Sequence, residues 1–316
     1  MTDNIINQLE SAGYETYAVG GCVRDELLNR ENFDIDITTT ARPDEIKEVF
    51  KDYKTIDIGA KFGTIKILDG ASEYEITTMR RESGYSDKRH PEKIAFTDDI
   101  REDLKRRDFT INAMAKRKGQ LLDIFNGKKD LDQKMIRAVG NPDERIKEDV
   151  LRSLRAVRFA TSLNFEIADD LKKAIRKNAA SIDDISKERI QVELNKISLA
   201  DDPKRGIKLL DEVGLLKYIF PEVYATKDFD QHSTFHAEDL YNHTLSVIEK
   251  TPPILEVRMA ALYHDVGKID TFFLDENGEG RFFGHQSVSE ELLVDRLRKL
   301  KYSKKFIENT RVLVKR

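Results

Sequence analysis

The chain is poor in several residue types that would point to particular protein classes. Its 316 residues include no tryptophan, a single cysteine and six histidines. One thiol excludes a disulfide scaffold and a cysteine-based zinc knuckle, and this cysteine usage is typical of a reducing compartment. No stretch approaches the roughly 20 apolar residues that cross a bilayer, and the start of the chain lacks the basic-then-apolar order of a signal peptide. We therefore expect a soluble cytoplasmic protein.

The chain also lacks a large net charge, because 54 Lys and Arg residues nearly balance 58 Asp and Glu residues and leave −4. Phosphate backbones attract basic surfaces, so this sum alone disfavours a nucleic-acid partner. The charges are segregated, however: residues 101–160 contain 16 basic and 10 acidic residues, and residues 221–300 contain 8 and 15. The basic middle of the chain is compatible with a polyanionic ligand.

The chain is longer than one hydrophobic core usually organises, which predicts two or three domains. Short β-rich runs alternate with helical stretches up to about residue 125, and amphipathic helical patterns dominate from about residue 143. We expect an α+β protein in which a head with a small mixed sheet, 1–137, precedes an all-helical neck and body, 138–222. A further helical segment, 223–316, carries five of the six histidines.

A glycine-rich turn is the first candidate for ligand binding. The sequence VGGCVRD, residues 19–25, lies between a predicted strand and a predicted helix. Gly20 and Gly21 allow a sharp turn and a close approach of the backbone to a ligand, and the helix start favours phosphate. Arg24, one turn into that helix, could reach the same anion. Such a turn also occurs often without any ligand.

Two carboxylates follow in the predicted strand FDIDITTT. Because side chains alternate along a strand, Asp34 and Asp36 share one face while Ile35 and Ile37 share the buried one. Paired carboxylates repel each other unless a cation lies between them, and Mg²⁺ binds one or two carboxylates together with phosphate oxygens. The alternative is a polar outer face of an edge strand. The nearby glycine turn favours a metal site for phosphoryl or nucleotidyl transfer.

Glu75, in the predicted strand YEITT, is a candidate third ligand for the same metal ion. A residue that only faces solvent is the alternative for this position. In the run KRRDFTINAMA, Arg107 could contact a ribose or a phosphate, with Asp108 fixing its orientation. The alternative for this run is an ordinary basic helix start.

The basic middle of the chain contains an acidic pair followed by three arginines. Helical spacing places Glu148, Asp149, Arg152, Arg155 and Arg158 on one face of a predicted helix. A solvated ladder of ion pairs is the plain interpretation of such a stripe.

Base chemistry gives this stripe a sharper interpretation. Cytosine and adenine both present an amino donor beside a ring-nitrogen acceptor. The carboxylate of Asp149 would accept from the amino group, and Arg152 would donate to the ring nitrogen. Uracil and guanine would leave unmatched polar groups against the same pair, which is a costly mismatch. Arg155 and Arg158 would then meet phosphates.

Four motifs in a fixed order now carry a family resemblance: GGxVRD from Gly20, DxD from Asp34, RRDFTINA from Arg106 and EDxxR from Glu148. Together they resemble the class II tRNA nucleotidyltransferases, the CCA-adding enzymes and poly(A) polymerases of the polymerase-β-like superfamily. The run ERIQVEL from Glu188 is similar to the helical neck motif of that family.

The resemblance implies template-independent addition of C and A nucleotides to the 3′ end of tRNA, with CTP and ATP as substrates and Mg²⁺ as cofactor. It implies a two-metal site in the head, with Gly21 and Arg24 holding triphosphate and Arg107 sensing the ribose. Asp149 and Arg152 would act as a protein template for the base, and the attacking group would be the 3′ hydroxyl of the RNA. Arg155 and Arg158 would contact the nucleotide.

Relatives in the superfamily add CC, only the final A, or a poly(A) tail. The segment from Arg80 to Asp108 looks like the full flexible loop that CC-adding enzymes are described as lacking, which disfavours CC addition. Addition of A alone and poly(A) synthesis remain alternatives, because the same template pair would serve them.

The histidines of the last segment suggest a second site. His243, His264 with Asp265, and His285 follow the order of an HD domain, a metal-dependent phosphohydrolase fold. Neutral imidazoles and a carboxylate suit a divalent transition metal. The HD pattern also needs a last Asp on a later helix, and Asp295 lies too early to match it, so we expect an incomplete HD-like domain. A phosphohydrolase whose head only binds RNA is the alternative from another functional class, and ordinary core histidines are the plain one.

Overall fold

The computed structural model describes residues 2–31, 35–59, 62–69, 72–84, 93–232 and 239–315. The chain forms two compact units, Met1–Asp149 and Val150–Arg316. Among the described residues no helix is long and apolar enough to cross a membrane. The boundaries at 137 and 222 expected from the sequence stay predictions.

The first unit is built on a mixed seven-stranded sheet, and a separate two-stranded hairpin stands beside it. The strands of this unit are β1 (Thr16–Val19), β2 (Ile35–Thr39), β3 (Lys54–Gly59), β4 (Thr64–Asp69), β5 (Ser72–Thr78), β6 (Arg80–Ser83), β7 (Lys93–Phe96), β8 (Met114–Arg117), β9 (Gln120–Asp123) and β10 (Met135–Ile136). The sheet order is β3-β4-β5-β2-β1-β8-β9, and β6 pairs with β7. Only β2 and β5 run parallel among these paired strands. The small mixed sheet predicted for the head is confirmed.

Helices cover both faces of this sheet. They are α1 (Thr2–Ser11), α2 (Gly21–Leu27), α3 (Pro43–Val49), α4 (Ile100–Lys105), α5 (Gly127–Asp132) and α6 (Pro142–Glu148). On one face, Leu9 of α1 and Ile46 of α3 pack with Ile37 of β2 in a fully buried core. On the other face, Leu104 of α4 packs with Val19. The alternation of β2 therefore buries its isoleucine side and leaves the aspartate side for chemistry.

The second unit is mostly helical. Its helices are α7 (Leu151–Leu163), α8 (Asp169–Asn178), α9 (Lys187–Ser198), α10 (Pro203–Glu212), α11 (Leu216–Ile219), α12 (Pro221–Ala225), α13 (Leu240–Glu249), α14 (Leu255–Tyr263), α15 (Lys268–Thr271), α16 (His285–Lys299) and α17 (Lys304–Val314). The exceptions are the two-residue strands β11 (Glu166–Ile167), β12 (Phe273–Leu274) and β13 (Gly280–Arg281). β12 and β13 form a small hairpin. The predicted α+β class, with a sheet in the head and helices beyond it, is confirmed.

The stripe predicted from Glu148 to Arg158 is not one helix, and this expectation was wrong. Helix α6 ends at Glu148, and Asp149 takes extended backbone angles, φ −148° and ψ 103°. Helix α7 begins at Leu151 after Val150. Asp and Val both have weak helix propensity, because Asp competes for the backbone and Val loses rotamer freedom. The two acidic side chains therefore do not share a helical face with the three arginines.

Candidate active site

The glycine turn after β1 brings together three predicted site elements. Gly20 has φ +75°, which side-chain-bearing residues rarely adopt. A β-carbon at this position would lie 2.7 Å from Nη1 of Arg107 and 3.3 Å from Oδ2 of Asp36. Glycine is thus needed here for the backbone angle, and a β-carbon would force the end of the Arg107 side chain to move. The turn, the strand carboxylate and the arginine of the RRDF motif therefore surround one point.

The register of the sheet places Asp36 beside Glu75. These residues are partners on the parallel strands β2 and β5. The side chain of Glu75 is about half exposed, and its Oε1 lies 3.6 Å from Nζ of Lys66 on β4. Asp34 lies outside the described residues. The structure thus brings Glu75 next to the predicted metal ligand, together with a lysine that was not singled out from the sequence.

Three hydrogen bonds hold the side chain of Arg24 in place. It lies in α2 and is 8% exposed. Its Nε and Nη2 donate to the Asp25 carboxylate at 2.8 and 2.9 Å, and its Nη1 donates to Oδ1 of Asn112 at 2.6 Å. Asn112 belongs to the RRDFTINA motif, and its side chain also donates to Asp108 at 3.1 Å. Sequence reasoning missed Asn112, whose place in that motif was the available signal.

Asp103 of α4 forms an ion pair with Arg107. Oδ2 of this fully buried carboxylate lies 3.6 Å from Nη2 of Arg107, and its Oδ1 accepts from Nε of Arg106 at 3.0 Å. Burial alone would raise the pKa of Asp103, but the charges of Arg106 and Arg107 lower it below its ordinary value. Asp108, which the sequence suggested as the orienting residue, accepts from the backbone N–H of Phe109 at 2.8 Å. The four-residue spacing from Asp103 to Arg107 was the missed signal.

The proposed base-reading residues lie on either side of the break between α6 and α7. Asp149 ends the first unit and is partly buried, and Arg152 lies in the first turn of α7 with 9% of its surface exposed. Arg155 and Arg158 follow on α7, with their guanidinium carbons 5.4 and 4.1 Å from the ring centroid of Phe159. The structure therefore places the three arginines on one helix, as predicted.

Arg158 also forms an ion pair within the second unit. Its Nε lies 3.0 Å from Oε2 of Glu193 on α9, and Glu193 is 5% exposed. Glu193 is a glutamate of the ERIQVEL run, which resembles the neck motif. The charge of this buried carboxylate favours a guanidinium beside it. Glu193 was not singled out from the sequence, although its motif was.

The histidines predicted for the last segment do converge. Nε2 of His264 lies 3.3 Å from Nε2 of His243 and 3.3 Å from Oδ2 of Asp265. Nε2 of His285 lies 3.3 Å from Oδ1 of the same carboxylate. His243, His264 and Asp265 offer atoms that all lie within 4.8 Å of one another. We call these four residues the His–Asp cluster, and they form one site in the second unit.

Lys268 adds a cation to the His–Asp cluster. Its Nζ lies 2.7 Å from Oδ2 of Asp265. Burial would raise the pKa of Asp265, but hydrogen bonding and charge from His264 and Lys268 hold the pKa well below its usual range. The carboxylate is therefore ionised at neutral pH. Lys268 was part of the HDxGK pattern in the sequence but was given no role there.

Comparison with known proteins identifies the families to which parts of the chain are similar. Residues 16–137 match the poly A polymerase head domain family, and residues 164–226 match the family described as the probable RNA and SrmB-binding site of polymerase A. The chain is 50% identical over 215 residues to the CCA-adding enzyme of Limosilactobacillus reuteri, which covers 68% of this chain and 53% of that protein. It is 47% identical over 224 residues to the CCA-adding enzyme of Ligilactobacillus salivarius, which covers 70% of this chain and 55% of that protein.

Among solved structures, the fold resembles the Bacillus stearothermophilus CCA-adding enzyme in complex with CTP. The TM-score is 0.73 at 32% identity, covering 97% of this chain and 67% of that one. The chain spans about half the length of the curated relatives that it matches. With its four motifs in place, its head and RNA-binding segments matched and this structural likeness over nearly all its length, the chain belongs to the class II CCA-adding enzyme family.

Proposed function

We propose that the chain adds C and A nucleotides to the 3′ end of tRNA, using CTP and ATP and releasing pyrophosphate. The observation that carries this proposal is the convergence of Arg107 and Asp36 on the Gly20 turn. This point offers a cation and a carboxylate together, which are groups that a nucleoside triphosphate and its metal ion require. Family membership supports the same reaction. A tRNA substrate and a reduced thiol fit the cytoplasm.

The donor atoms of the head suit Mg²⁺. Asp36 and Glu75 offer carboxylate oxygens from neighbouring strands, and oxygen ligands are those that a hard cation prefers. We assign Asp34 and Asp36 as the metal ligands, with Glu75 as a further candidate. When bound, Mg²⁺ would neutralise charge on the phosphoryl group being transferred.

The remaining head residues would bind the nucleotide. Gly20 and Gly21 let the backbone approach the triphosphate, and the Gly20 position has no side chain that would displace Arg107. Arg24 is already oriented by Asp25 and Asn112, so it would lose little freedom when it meets an anion. Arg107 would hydrogen-bond the ribose. The 3′ hydroxyl of tRNA would then attack in line with the departing pyrophosphate.

The residues around the helix break would select the base. Asp149 would accept from the amino group of cytosine or adenine, and Arg152 would donate to the adjacent ring nitrogen. Arg155 and Arg158 would contact the nucleotide beyond the base, with Glu193 orienting Arg158. Uracil and guanine present the opposite pattern, so UTP and GTP would be rejected by unpaired polar groups.

The decisive experiment uses three tRNA substrates that end before CCA, after C and after CC, with each NTP tested separately. We expect CTP incorporation on the first two and ATP incorporation on the third. Addition only to the CC end would make the chain an A-adding enzyme, and long A tails would make it a poly(A) polymerase. Asp149→Ala should weaken the preference for CTP and ATP over UTP, whereas Asp143→Ala, an acidic side chain paired with Lys147 at 2.8 Å on α6, should not.

A second candidate function is carried by the His–Asp cluster. Three imidazoles and one ionised carboxylate within contact distance suit a divalent transition metal, and an HD-type phosphohydrolase would use such a centre. This activity would reside in the second unit and would survive loss of Asp36. Hydrolysis of a phosphoester that persists in Asp36→Ala and disappears in His264→Ala would assign it to the cluster.

A further inference from the structure

We propose that Asp103 is a positioning residue whose buried carboxylate sets Arg107 at the Gly20 turn. The inference rests on the proposed nucleotidyl transfer, because it gives Asp103 a role in that reaction through Arg107. Asp103 itself lies in α4 with none of its surface exposed, so it does not meet the nucleotide. Its effect on a substrate would pass through the guanidinium.

The two oxygens of the Asp103 carboxylate have different surroundings. Oδ1 accepts from the backbone N–H of Arg80 at 3.2 Å and from Nε of Arg106 at 3.0 Å. Oδ2 has no hydrogen-bond partner among the described residues, and it lies 3.6 Å from Nη2 of Arg107. One oxygen therefore anchors the carboxylate to β6 and to the end of α4. The other oxygen faces Arg107.

Further buried charged side chains surround the Oδ1 end of the Asp103 carboxylate. Glu82 of β6 is almost fully buried, and its Oε1 lies 2.7 Å from Nη2 of Arg80 and 3.5 Å from Nη1 of Arg106. These contacts tie the β6–β7 hairpin to the arginine that holds Oδ1. Two carboxylates and two arginines with little exposed surface leave the Asp103 side chain few alternative rotamers. The contacts of Oδ1 therefore also fix the position of Oδ2.

Arg107, the other member of the ion pair, makes fewer and longer contacts than Asp103. Its Nη1 lies 3.5 Å from the backbone oxygen of Asn112, and its buried Nε has no hydrogen-bond partner among the described residues. A guanidinium with long contacts keeps donors for a ligand but needs a fixed charge to stay in place. Asp103 supplies that charge at Nη2, whereas Nη1 is the atom nearest to the Gly20 turn. The pair thus holds Arg107 near the turn without using up its hydrogen bonds.

This arrangement makes a base-independent prediction. Arg107 lies at the Gly20 turn, as does Asp36. A change at Asp103 should therefore affect binding of the ribose and triphosphate, which CTP and ATP have in common. Asp103→Asn should therefore lower kcat/KM for CTP and for ATP by about the same factor, roughly tenfold. The ratio of the two nucleotides should stay unchanged. A defect in base selection would instead change that ratio.

The test is a double-mutant cycle with Asp103→Asn and Arg107→Met in the full chain. Incorporation of CTP and ATP into tRNA ends and Kd for CTP in Mg²⁺ are both measured. If Asp103 acts through Arg107, adding Asp103→Asn to Arg107→Met should cost less than about twofold more, because the ion pair is already lost. Glu10→Gln is the matched control. It removes another partly buried carboxylate that pairs with an arginine of the same unit, Arg117, and should change kcat/KM by less than about twofold.

Fully multiplicative losses in the double variant would overturn the inference while leaving the proposed function intact. A change in the CTP to ATP ratio would overturn it as well. A wild-type chain that neither incorporates nor binds CTP would overturn the proposed function and the inference with it. If Asp103→Asn does not fold, Asp103→Glu keeps the charge and displaces it by one methylene. Adding Asp103→Glu to Arg107→Met should then again cause no further loss.

Discussion

Asp36 and Glu75 are register partners on the only parallel strand pair described in the head sheet. Partners in register project to the same side of a sheet, so the two carboxylates flank one position. Lys66 lies on β4, next to β5, and its Nζ is 3.6 Å from Oε1 of Glu75. This lysine would offset carboxylate repulsion before a metal ion binds.

We expect Asp36→Ala to reduce nucleotide incorporation by at least about 1,000-fold, because a direct metal ligand has no substitute at the turn. Glu75→Gln should reduce it by about tenfold if Glu75 is a ligand. The matched control is Asp57→Asn on β3, a carboxylate of the same sheet that pairs with Lys47 at 3.0 Å and does not neighbour β2. Incorporation on tRNA ends checks all three variants. Equal rates for Glu75→Gln and Asp57→Asn would remove Glu75 from the metal site.

Gly20→Ala should impair both folding and activity. The methyl group would meet Arg107 at 2.7 Å, and φ +75° would add strain of about 1–2 kcal/mol. Gly13→Ala is a close control, because Gly13 has φ +94° and nothing within 4 Å of its added β-carbon. Both variants should lose thermal stability, but only Gly20→Ala should lose incorporation beyond what its stability explains. Unchanged activity in Gly20→Ala would show that Arg107 can move freely from the turn.

Arg258 should be important for the stability of the second unit. It is 4% exposed, and its Nη1 donates to the backbone oxygens of Ser198 and Ala200, at 2.5 and 2.6 Å, where α9 ends. Arg258→Ala should lower the free energy of unfolding by about 2–4 kcal/mol, because buried carbonyl groups lose their donors. Arg311→Ala, at an exposed ion pair, should cost less than about 1 kcal/mol. Denaturant unfolding of both variants checks this difference.

Acid should weaken the head through Asp103. Its folded pKa is lowered, so the group stabilises the fold above its unfolded pKa of about 3.9, and this contribution is lost as pH falls through the folded pKa. Asp103→Asn removes the contribution. The difference in thermal midpoint between wild type and Asp103→Asn should therefore be largest above about pH 4 and should shrink at lower pH. A difference that grew in acid would mean that the carboxylate is protonated in the folded protein.

The His–Asp cluster should bind one divalent transition metal. Co²⁺ titration followed by visible absorption should show one equivalent, and His264→Ala should weaken its binding by about 100-fold. His232→Ala is the control, because this histidine contacts Asp230 instead of the cluster. Lys268→Met should strengthen binding, since Nζ of Lys268 lies 2.7 Å from the carboxylate oxygen that a metal would use. Identical Co²⁺ binding in wild type and His264→Ala would contradict a metal centre at these residues.

Patterns along the chain were enough to predict the strands that carry Asp36 and Glu75, the turn at Gly20 and a shared site for the histidines. Each depends on local features: the alternation of β2, the conformational freedom of glycine, and spacing within a motif. The pairing of Asp36 with Glu75 could be proposed only as a possibility, because register between distant strands depends on the whole sheet. The helix from Glu148 to Arg158 was predicted wrongly, since spacing alone does not report the extended backbone at Asp149.

The supporting residues were the hardest to predict. Asp103, Asn112 and Glu193 are buried polar side chains whose partners come from other segments. A sequence shows their type but does not show which arginine they meet. Asp103 is the partial exception, because its helical spacing to Arg107 is visible in the sequence.

The absent side chain at Gly20 also limits how this head could be redesigned. A β-carbon at residue 20 would lie within 3.3 Å of both Arg107 and Asp36. A shorter side chain at either position would leave the turn intact, whereas a side chain at residue 20 would force the Arg107 guanidinium to move. A changed sugar or metal preference would therefore have to be engineered from the arginine and carboxylate ends first, with residue 20 left as glycine.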